Sequence, residues 1–169
     1  MNYCQIKKTD IANGPGVRVS LFVSGCRHHC KGCFNPETWD FDYGEPFDKQ
    51  VKEQLLDLLA PDYIAGLTLL GGDPLEKENT QALLPFVKEV RMRYPNKSIW
   101  CFTGDVYEKL LERKDARELF EYIDVLVDGP FIESQKNIMF RFRGSQIQRI
   151  LDIKKSQAAH KAVEWKEEQ

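Results

Sequence analysis

The sequence lacks the features that would place a protein in or on a membrane. Its 169 residues contain no run of about 18 apolar residues, the length that a membrane-spanning helix requires. Residues 1–8 contain no apolar segment of the kind that signal peptides carry. The formal net charge is only −2, so the overall charge favours neither nucleic acid nor an anionic membrane surface as a partner. These absences predict a cytoplasmic protein that binds neither a membrane nor nucleic acid.

The sequence also lacks a framework for disulfide bonds. It has five cysteines, an odd number, and Cys26, Cys30 and Cys33 lie together on one short stretch. Clustered thiols are typical of metal ligation in a reducing compartment, and the C-x3-C-x2-C spacing favours an iron–sulfur cluster. A cubane cluster has four irons, so three cysteines leave one iron open to bind another molecule. Cys4 and Cys101 lie alone in apolar surroundings and are expected to be buried free thiols.

The hydrophobic pattern predicts strands that alternate with helices. The predicted strands lie at 17–23, 64–70, 98–102, 123–127 and 148–153, and the predicted helices begin after Asp48, at Asn79 or Thr80, at Val106 and at Asp115. Short connections in a βα repeat favour parallel strands. Because there are too few βα units for a closed eight-fold barrel, we expect an α/β fold built as an open partial barrel of five or six mostly parallel strands.

The length of the chain favours a single domain over residues 1–169. Residues 131–140 have no clear period and are expected to form an irregular excursion. Residues 154–169 mix Lys, Ala and Glu, a composition compatible with a short helix, a strand around 162–165 or a partly mobile tail.

Each predicted strand ends in a polar turn that contains glycine. The turns are Ser24-Gly25, Gly71-Gly72-Asp73, Thr103-Gly104-Asp105 and Asp128-Gly129. Ligands of parallel α/β folds bind at the carboxyl ends of the strands. We therefore expect the four turns to meet at one rim, together with the cysteine loop, and to form a cofactor-sized site there.

Three features together resemble the radical S-adenosylmethionine (SAM) enzymes. They are the cysteine motif with an aromatic residue directly after it, as Cys33-Phe34, its position after the first strand of a βα repeat, and Gly71-Gly72-Asp73-Pro74 at the end of the second strand. The last stretch is similar to the glycine-rich motif of that family, which usually reads Gly-Gly-Glu-Pro. The resemblance implies a [4Fe-4S] cluster held by Cys26, Cys30 and Cys33. It also implies SAM at the open iron, where an electron from the cluster splits SAM and yields a 5′-deoxyadenosyl radical.

The same resemblance implies which residues contact SAM. They are Gly32, Cys33, Phe34, Gly72 and Asp73, and the ends of the predicted strands add Thr103 and Asp128 as candidates. The backbone at Gly72 corresponds to the group that pairs with the methionyl amino group, and Gly32 and Phe34 correspond to residues that lie against the adenine. Asp73 is shorter than the usual Glu, so only a backbone role is carried over to it. Thr103 and Asp128 are placed to contact the ribose or the methionyl carboxylate, or else to cap the turns that follow them.

Longer stretches are similar to the activating proteins of anaerobic (class III) ribonucleoside-triphosphate reductase. They are 13–18, 24–36, 100–104, 124–131 and 143–149, and the similarity extends over roughly residues 3–155. Ile147 stands where that family usually has Asn. The similarity implies that the radical takes an α-hydrogen from one glycine of the large reductase subunit and leaves a glycyl radical there. No second cluster motif is present in the sequence, so a flavodoxin or a ferredoxin is the expected reductant.

Two alternative hypotheses remain open at this point. Another radical SAM enzyme would share the same motifs, for example an activase of a formate-lyase type protein or a small-molecule deazapurine synthase. A non-catalytic module would use the cysteines for a structural zinc ion, with His28 or His29 as fourth ligand, or for electron transfer, with Cys4 or Cys101 as fourth ligand. The Gly-Gly-Asp-Pro turn and the βα repeat disfavour both forms of that module. His28 and His29 are otherwise expected to be exposed loop residues without a catalytic role.

Overall fold

The computed structural model describes residues 1–168 and shows a mixed seven-stranded β-sheet. The strands are β1 (Asn2–Asp10), β2 (Val17–Val23), β3 (Glu45–Pro46), β4 (Ile64–Gly71), β5 (Ser98–Phe102), β6 (Val125–Asp128) and β7 (Arg149–Asp152). Across the sheet they follow the order β3-β1-β2-β4-β5-β6-β7. The central strands β2, β4, β5 and β6 are parallel, whereas the pairings of β1, β3 and β7 are antiparallel. The prediction of an α/β fold with mostly parallel strands is therefore confirmed for the centre of the sheet.

Within residues 1–168, four α-helices lie between the parallel strands, and a fifth follows β7. They are α1 (Lys49–Leu59), α2 (Lys77–Arg93), α3 (Tyr107–Leu110), α4 (Lys114–Phe120) and α5 (Ile153–Ala159). Asp48 caps α1 as expected, because its Oδ1 accepts a hydrogen bond from the Val51 amide at 3.0 Å. α2 begins at Lys77, slightly before the predicted start at Asn79 or Thr80. No helix in the described range combines the length and the hydrophobicity of a membrane span.

The two faces of the sheet have different surroundings. Alternate residues of a strand point to opposite faces, and Val19 and Leu21 of β2 lie in the main core, between the sheet and the helices α1 to α4. On the other face, Trp100 and Val127 are buried in a smaller cluster. Helices therefore cover one face of the central strands, while loops and the C-terminal residues border the other.

The sheet has seven strands in the described chain, whereas the sequence predicts five or six. The predicted strands at 17–23 and 98–102 match β2 and β5 in their bounds. The sequence pattern does not predict β1, because most of its residues are exposed or half-buried and carry no regular apolar alternation. β3 is only two residues long and pairs with the start of β1, so no local pattern indicates it.

The C-terminal residues fold back on the sheet. After α5, the Asp152 amide donates to Val163 O at 2.9 Å and the Trp165 amide donates to Ile150 O at 2.8 Å. The Trp165 ring packs edge-on against Trp100, with the ring centroids 4.9 Å apart. The short helix considered for residues 154–169 is thus present as α5, and residues 163–165 lie against β7 and the face of the sheet opposite the helices.

Candidate functional site

A cavity of about 480 Å³ opens at the carboxyl ends of the parallel strands. This volume lies within the range of about 300–1,000 Å³ that is usual for small-molecule and cofactor sites. The cysteine loop after β2 and the turns after β4, β5 and β6 all contribute to it: Cys26, Cys30, Cys33, Gly71, Gly72, Asp73, Thr103, Gly104 and Gly129 line the cavity. The predicted convergence of these turns at one rim is confirmed.

The cavity brings together most of the site residues that the sequence predicts. It is lined by Cys26, Cys30, Cys33, Phe34, Gly72, Asp73 and Thr103, whereas Gly32 and Asp128 are not among its lining residues. Gly32 has a φ of +76°, and a Cβ there would come within 2.8 Å of the Glu133 carboxyl carbon. Gly32 is therefore needed for the turn of the cysteine loop, since its φ lies in the left-handed region, whereas the flexible end of the Glu133 side chain could move.

Asp128 is engaged with the protein rather than with the cavity. It is fully buried, and the Tyr107 amide donates to its Oδ2 at 2.8 Å. Arg149 of the antiparallel strand β7 donates from Nε to its Oδ1 at 3.0 Å. Hydrogen bonds to Asp128 and then to Glu108 raise the pKa of Arg149 further above its usual range. The Asp128 carboxylate therefore lies among protein groups and not among the lining residues of the cavity.

The three clustered cysteines lie on one loop, and each is half-buried. The loop turns back on itself, because the Cys33 amide donates to Cys30 O at 3.1 Å. Burial raises the pKa of Cys26 to about 12. A soft metal binds the thiolate form of cysteine, so metal binding at Cys26 would displace its proton.

Arg27 connects the cysteine loop to the start of α2 through hydrogen bonds. Its backbone amide donates to Glu76 Oε1 at 2.7 Å, and its guanidinium donates to Glu76 Oε2 at 2.7 Å and to Glu78 Oε1 at 2.6 Å. The same guanidinium lies 4.4 Å from the centre of the Phe41 ring. The cysteine loop therefore has a fixed position relative to the strand ends, even though Arg27 itself is largely exposed.

The Asp73 carboxylate connects the cysteine loop with the turn after β5. Asp73 Oδ2 lies 2.8 Å from His28 Nε2 and accepts hydrogen bonds from Thr103 Oγ1 at 3.0 Å and from the Gly104 amide at 2.9 Å. Its Oδ1 accepts from the Leu75 amide at 2.8 Å. The hydrogen bond to Asp73 raises the pKa of His28. The expectation that His28 is an exposed loop residue is wrong, because His28 is partly buried against this carboxylate.

The backbone around Gly72 leaves no room for a side chain. A Cβ at Gly72 would lie 2.6 Å from Gly25 O and 2.8 Å from Thr38 O. The Gly72 amide already donates to Val23 O at 2.7 Å. The carbonyl oxygen of Gly72 is therefore the backbone group that can accept a hydrogen bond from an amino group in the cavity.

The remaining wall of the cavity is formed by residues 131–148, which we call the strap. Its lining residues are Phe131, Lys136, Asn137, Ile138, Phe140, Phe142, Arg143, Gly144 and Gln148. The strap includes a 3₁₀ helix at Glu133–Gln135 and closes as a hairpin through a bridge between Lys136 and Ser145. The sequence indicates these residues only by their aromatic and basic composition, since no period marks them.

Asn79 is another residue of the site that the sequence does not single out. It is fully buried in the first turns of α2, and its Nδ2 donates to Ser24 O at 3.0 Å and to Asp73 O at 2.9 Å. Asn79 thus joins the turns after β2 and β4. The sequence signal for Asn79 is a polar amide near the start of a helix, directly after the Gly-Gly-Asp-Pro turn. An ordinary helix cap would give the same signal, so the sequence does not identify its contacts with the two turns.

The donor set of the cavity fits an iron–sulfur cluster better than a disulfide or a hard-metal site. Three thiols come from one loop, and the neighbouring turns expose backbone groups without side chains. Soft thiolate ligands favour iron–sulfur clusters, zinc or copper(I) over oxygen-seeking metals. Neither Cys4 nor Cys101 lines this cavity, and Cys101 is fully buried, which raises its pKa well above the usual range.

Comparisons with known proteins agree with this donor set. Residues 12–151 match the family model of a 4Fe-4S single cluster domain. An anaerobic ribonucleoside-triphosphate reductase-activating protein of Haemophilus influenzae is 46% identical over 147 residues, which are 86% of this chain and 94% of that protein. The protein of the same name from Escherichia coli K12 is 42% identical over 151 residues, 88% of this chain and 96% of that protein. The one from Enterobacteria phage T4 is 41% identical over 152 residues, 89% of this chain and 93% of that protein.

Proposed function

Because the chain belongs to the family of anaerobic ribonucleoside-triphosphate reductase-activating proteins, we propose that it generates the glycyl radical of that reductase by reductive cleavage of SAM. Its cofactors are a [4Fe-4S] cluster and SAM. The observation that supports this function most directly is one loop with three cysteines at the wall of a cofactor-sized cavity, to which no other cysteine contributes in the described chain. Such a donor set leaves one iron of the cluster open for SAM.

The residues of the loop and of the rim have different roles in this proposal. Cys26, Cys30 and Cys33 would hold the cluster, and the Gly72 carbonyl would accept a hydrogen bond from the methionyl amino group. When bound, the cluster supplies an electron and SAM supplies the radical that takes the α-hydrogen of the partner's glycine. Phe34 lies at the edge of the cavity, where an exposed aromatic ring is suited to stack on an adenine.

Asp73 and Thr103 act on the cofactor through the shape of the rim. The Thr103 hydroxyl donates to Asp73, and its oxygen accepts from the Asp105 amide at 3.2 Å. Both groups are therefore occupied in holding the turns after β4 and β5 in one arrangement. Gly32 would serve the same purpose in the cysteine loop, and Asp128 would hold Arg149 on β7.

The lining of the cavity is suited to exclude water from the radical, and its entrance is suited to admit a polypeptide segment. Aromatic side chains from both walls surround it, among them Phe34, Phe102, Phe131, Phe140 and Phe142. An apolar lining excludes water and so protects a radical from side reactions. We propose that the sheet forms an open partial barrel, since an open side is what a glycine on a protein loop needs to reach the site.

The other components of the system remain predictions. A flavodoxin or ferredoxin is the proposed reductant of the cluster, and the cytoplasm is the predicted location. The large subunit of the anaerobic reductase is the proposed partner, because the relatives are named as activating proteins of that reductase.

Replacement of single cysteines tests this function. We expect Cys30→Ala to lose the [4Fe-4S] cluster after anaerobic reconstitution, measured as iron and sulfide per chain, and to lose SAM cleavage on one-electron reduction. Cys4→Ala is the matched control, because Cys4 is also half-buried but lies outside the cavity; it should keep both. The wild type should give a glycyl-type doublet in electron paramagnetic resonance when the reductase subunit is added.

Two results would contradict the proposal in different ways. A colourless protein that holds one zinc ion after reconstitution would assign the cysteines to a structural site, for which the ligand atoms of Cys26, His28 and Asp73 lie within 4.8 Å of one another. A doublet that forms with a formate-lyase type protein, but not with the reductase, would assign the chain to another activase.

A further inference from the structure

We propose that the tip of the strap, Ile138-Met139, is a docking point for the large subunit of the anaerobic reductase. This inference rests on the proposed function and adds where the protein substrate is held. The side chains of Ile138 and Met139 are 89% and 83% exposed, and no other large apolar side chain in the described chain is exposed to this extent. Apolar surface of this kind gains free energy when a partner covers it.

The tip lies directly beside the entrance of the cavity. Ile138 lines the cavity, and so does Phe34, whose ring is 66% exposed. Met139 follows Ile138 but is not among the lining residues. A polypeptide segment that enters the cavity with a glycine must pass this entrance, so the part of the partner next to that segment will cover the tip.

The tip is held in one conformation. The Met139 amide donates to Asn137 Oδ1 at 2.9 Å, and the Phe140 amide donates to Asn137 O at 3.1 Å. Below the tip, the bridge between Lys136 and Ser145 closes the hairpin. The exposed pair is therefore presented on a formed turn, and a partner that binds it pays little for ordering the backbone.

The size of the exposed patch argues for this partner rather than for a second copy of the chain. A stable dimer needs about 800 Å² of buried surface on each partner, and two side chains at a hairpin tip supply only a part of that. The reductase segment adds the surface that it buries inside the cavity, so the tip needs to contribute only an anchor. Methionine is suited to such an anchor, because its flexible and polarizable side chain adapts to an apolar pocket.

A comparison of two exposed methionines tests the proposal. Met139→Ser removes the apolar anchor, and Met92→Ser is the matched control, because Met92 is 75% exposed on α2 and does not line the cavity. The full-length reconstituted variants are titrated with the full-length large subunit under anaerobic conditions in the presence of SAM. We expect Met139→Ser to raise the Kd for the subunit by about tenfold, as for an interface anchor. Met92→Ser should stay close to the wild type, and Met139→Leu should restore the affinity.

The readouts separate this proposal from the proposed function. SAM cleavage without the reductase should be the same in wild type, Met139→Ser and Met92→Ser, because Met139 lies outside the cavity. An unchanged Kd for Met139→Ser would overturn the docking proposal while leaving the activase function intact. If Met139→Ser changed only self-association, the tip would be assigned to a second copy of the chain. If it changed only the rate of cluster reduction, the tip would be assigned to the reductant. Either result overturns the proposal. A wild type that cleaves no SAM would instead contradict the proposed function.

Discussion

Asp73 carries more of the site's geometry than its position in a glycine-rich turn suggests. Its side chain is almost completely buried, and four groups from three segments contact its two oxygens: His28, Thr103, Gly104 and Leu75. A buried carboxylate is tolerated only where hydrogen bonds replace its hydration. Here these hydrogen bonds also fix the distance between the cysteine loop and the turn after β5. The shape of the cofactor site therefore depends on the Asp73 side chain.

We expect Asp73→Ala to destabilise the protein by about 2–3 kcal/mol, because several buried donors lose their acceptor at once. In a chain of this size each kcal/mol lowers the Tm by roughly 2–4 °C. The control is Asp48→Ala, which removes a single helix cap and should cost about 1 kcal/mol. Thermal unfolding of the metal-free proteins measures both. Equal losses would mean that Asp73 acts only as a local cap for Leu75.

At the residue scale, local spacing predicted that the three cysteines share one loop, but it did not predict the contacts that reach across the fold. The three thiols are neighbours in sequence, so their shared loop follows from the chain itself. The contact of His28 with Asp73 joins residues far apart in sequence and depends on how β2 pairs with β4. The contact of Asp128 with Arg149 could not be predicted either, because Arg149 belongs to a strand whose antiparallel placement no local pattern shows.

At the scale of elements, the strap depends on the C-terminal tail. Phe142 of the strap has a φ of +63°, in the left-handed region that residues other than glycine rarely adopt. Its ring packs edge-on against Trp100 with centroids 5.4 Å apart and lies 6.5 Å from Trp165. A strained backbone conformation persists only where the surrounding packing holds it. The aromatic contacts made by the tail therefore help to hold the cavity wall.

We expect Trp165→Ala to loosen the strap as well as to lower stability. Loss of a half-buried aromatic ring should destabilise the protein by about 2 kcal/mol, less than for a fully buried one. Limited trypsin digestion should then cleave faster after Arg141 or Arg143, which lie on either side of Phe142. Trp165→Phe retains an aromatic ring and is the control. A lower Tm with unchanged cleavage in the strap would show that the tail stabilises β7 alone.

The elements themselves differ in how well the sequence predicts them. β2 alternates apolar with other residues, β5 is a short and mostly apolar run, and glycine or polar turns bound both, so their bounds follow from the pattern. The strap has neither a strand nor a helix period, because its fold depends on hydrogen bonds such as those that the Gly144 and Ser145 amides donate to Gln148 Oε1, at 2.9 and 3.0 Å. Composition alone cannot indicate that such a segment forms a cavity wall.

At the scale of the whole molecule, a buried arginine connects the centre of the sheet. Arg18 connects three central strands: Nε donates to Thr68 Oγ1 at 2.8 Å, and Nη2 donates to Leu67 O and Ser98 O, both at 2.9 Å. Burial lowers the pKa of Arg18 to about 10, so it still carries its charge at neutral pH. The strap has no comparable connections to the helices, since it packs on the opposite face of the sheet.

This difference predicts the pattern of amide hydrogen exchange. Amides of β2 and β4 should exchange slowest, because they open only when the whole fold unfolds, whereas amides of the strap should exchange through local opening.

When the large reductase subunit is added to the reconstituted protein with SAM, protection should increase at residues 136–143 and remain unchanged on the outer surface of α1 and α2, where Met92 serves as an internal reference. Protection that increases on α1 and α2 instead would place the partner on the face of the sheet away from the cavity. In that case the glycine could not reach the site by the route that the strap borders, and the partner's docking surface would have to be sought on the helices.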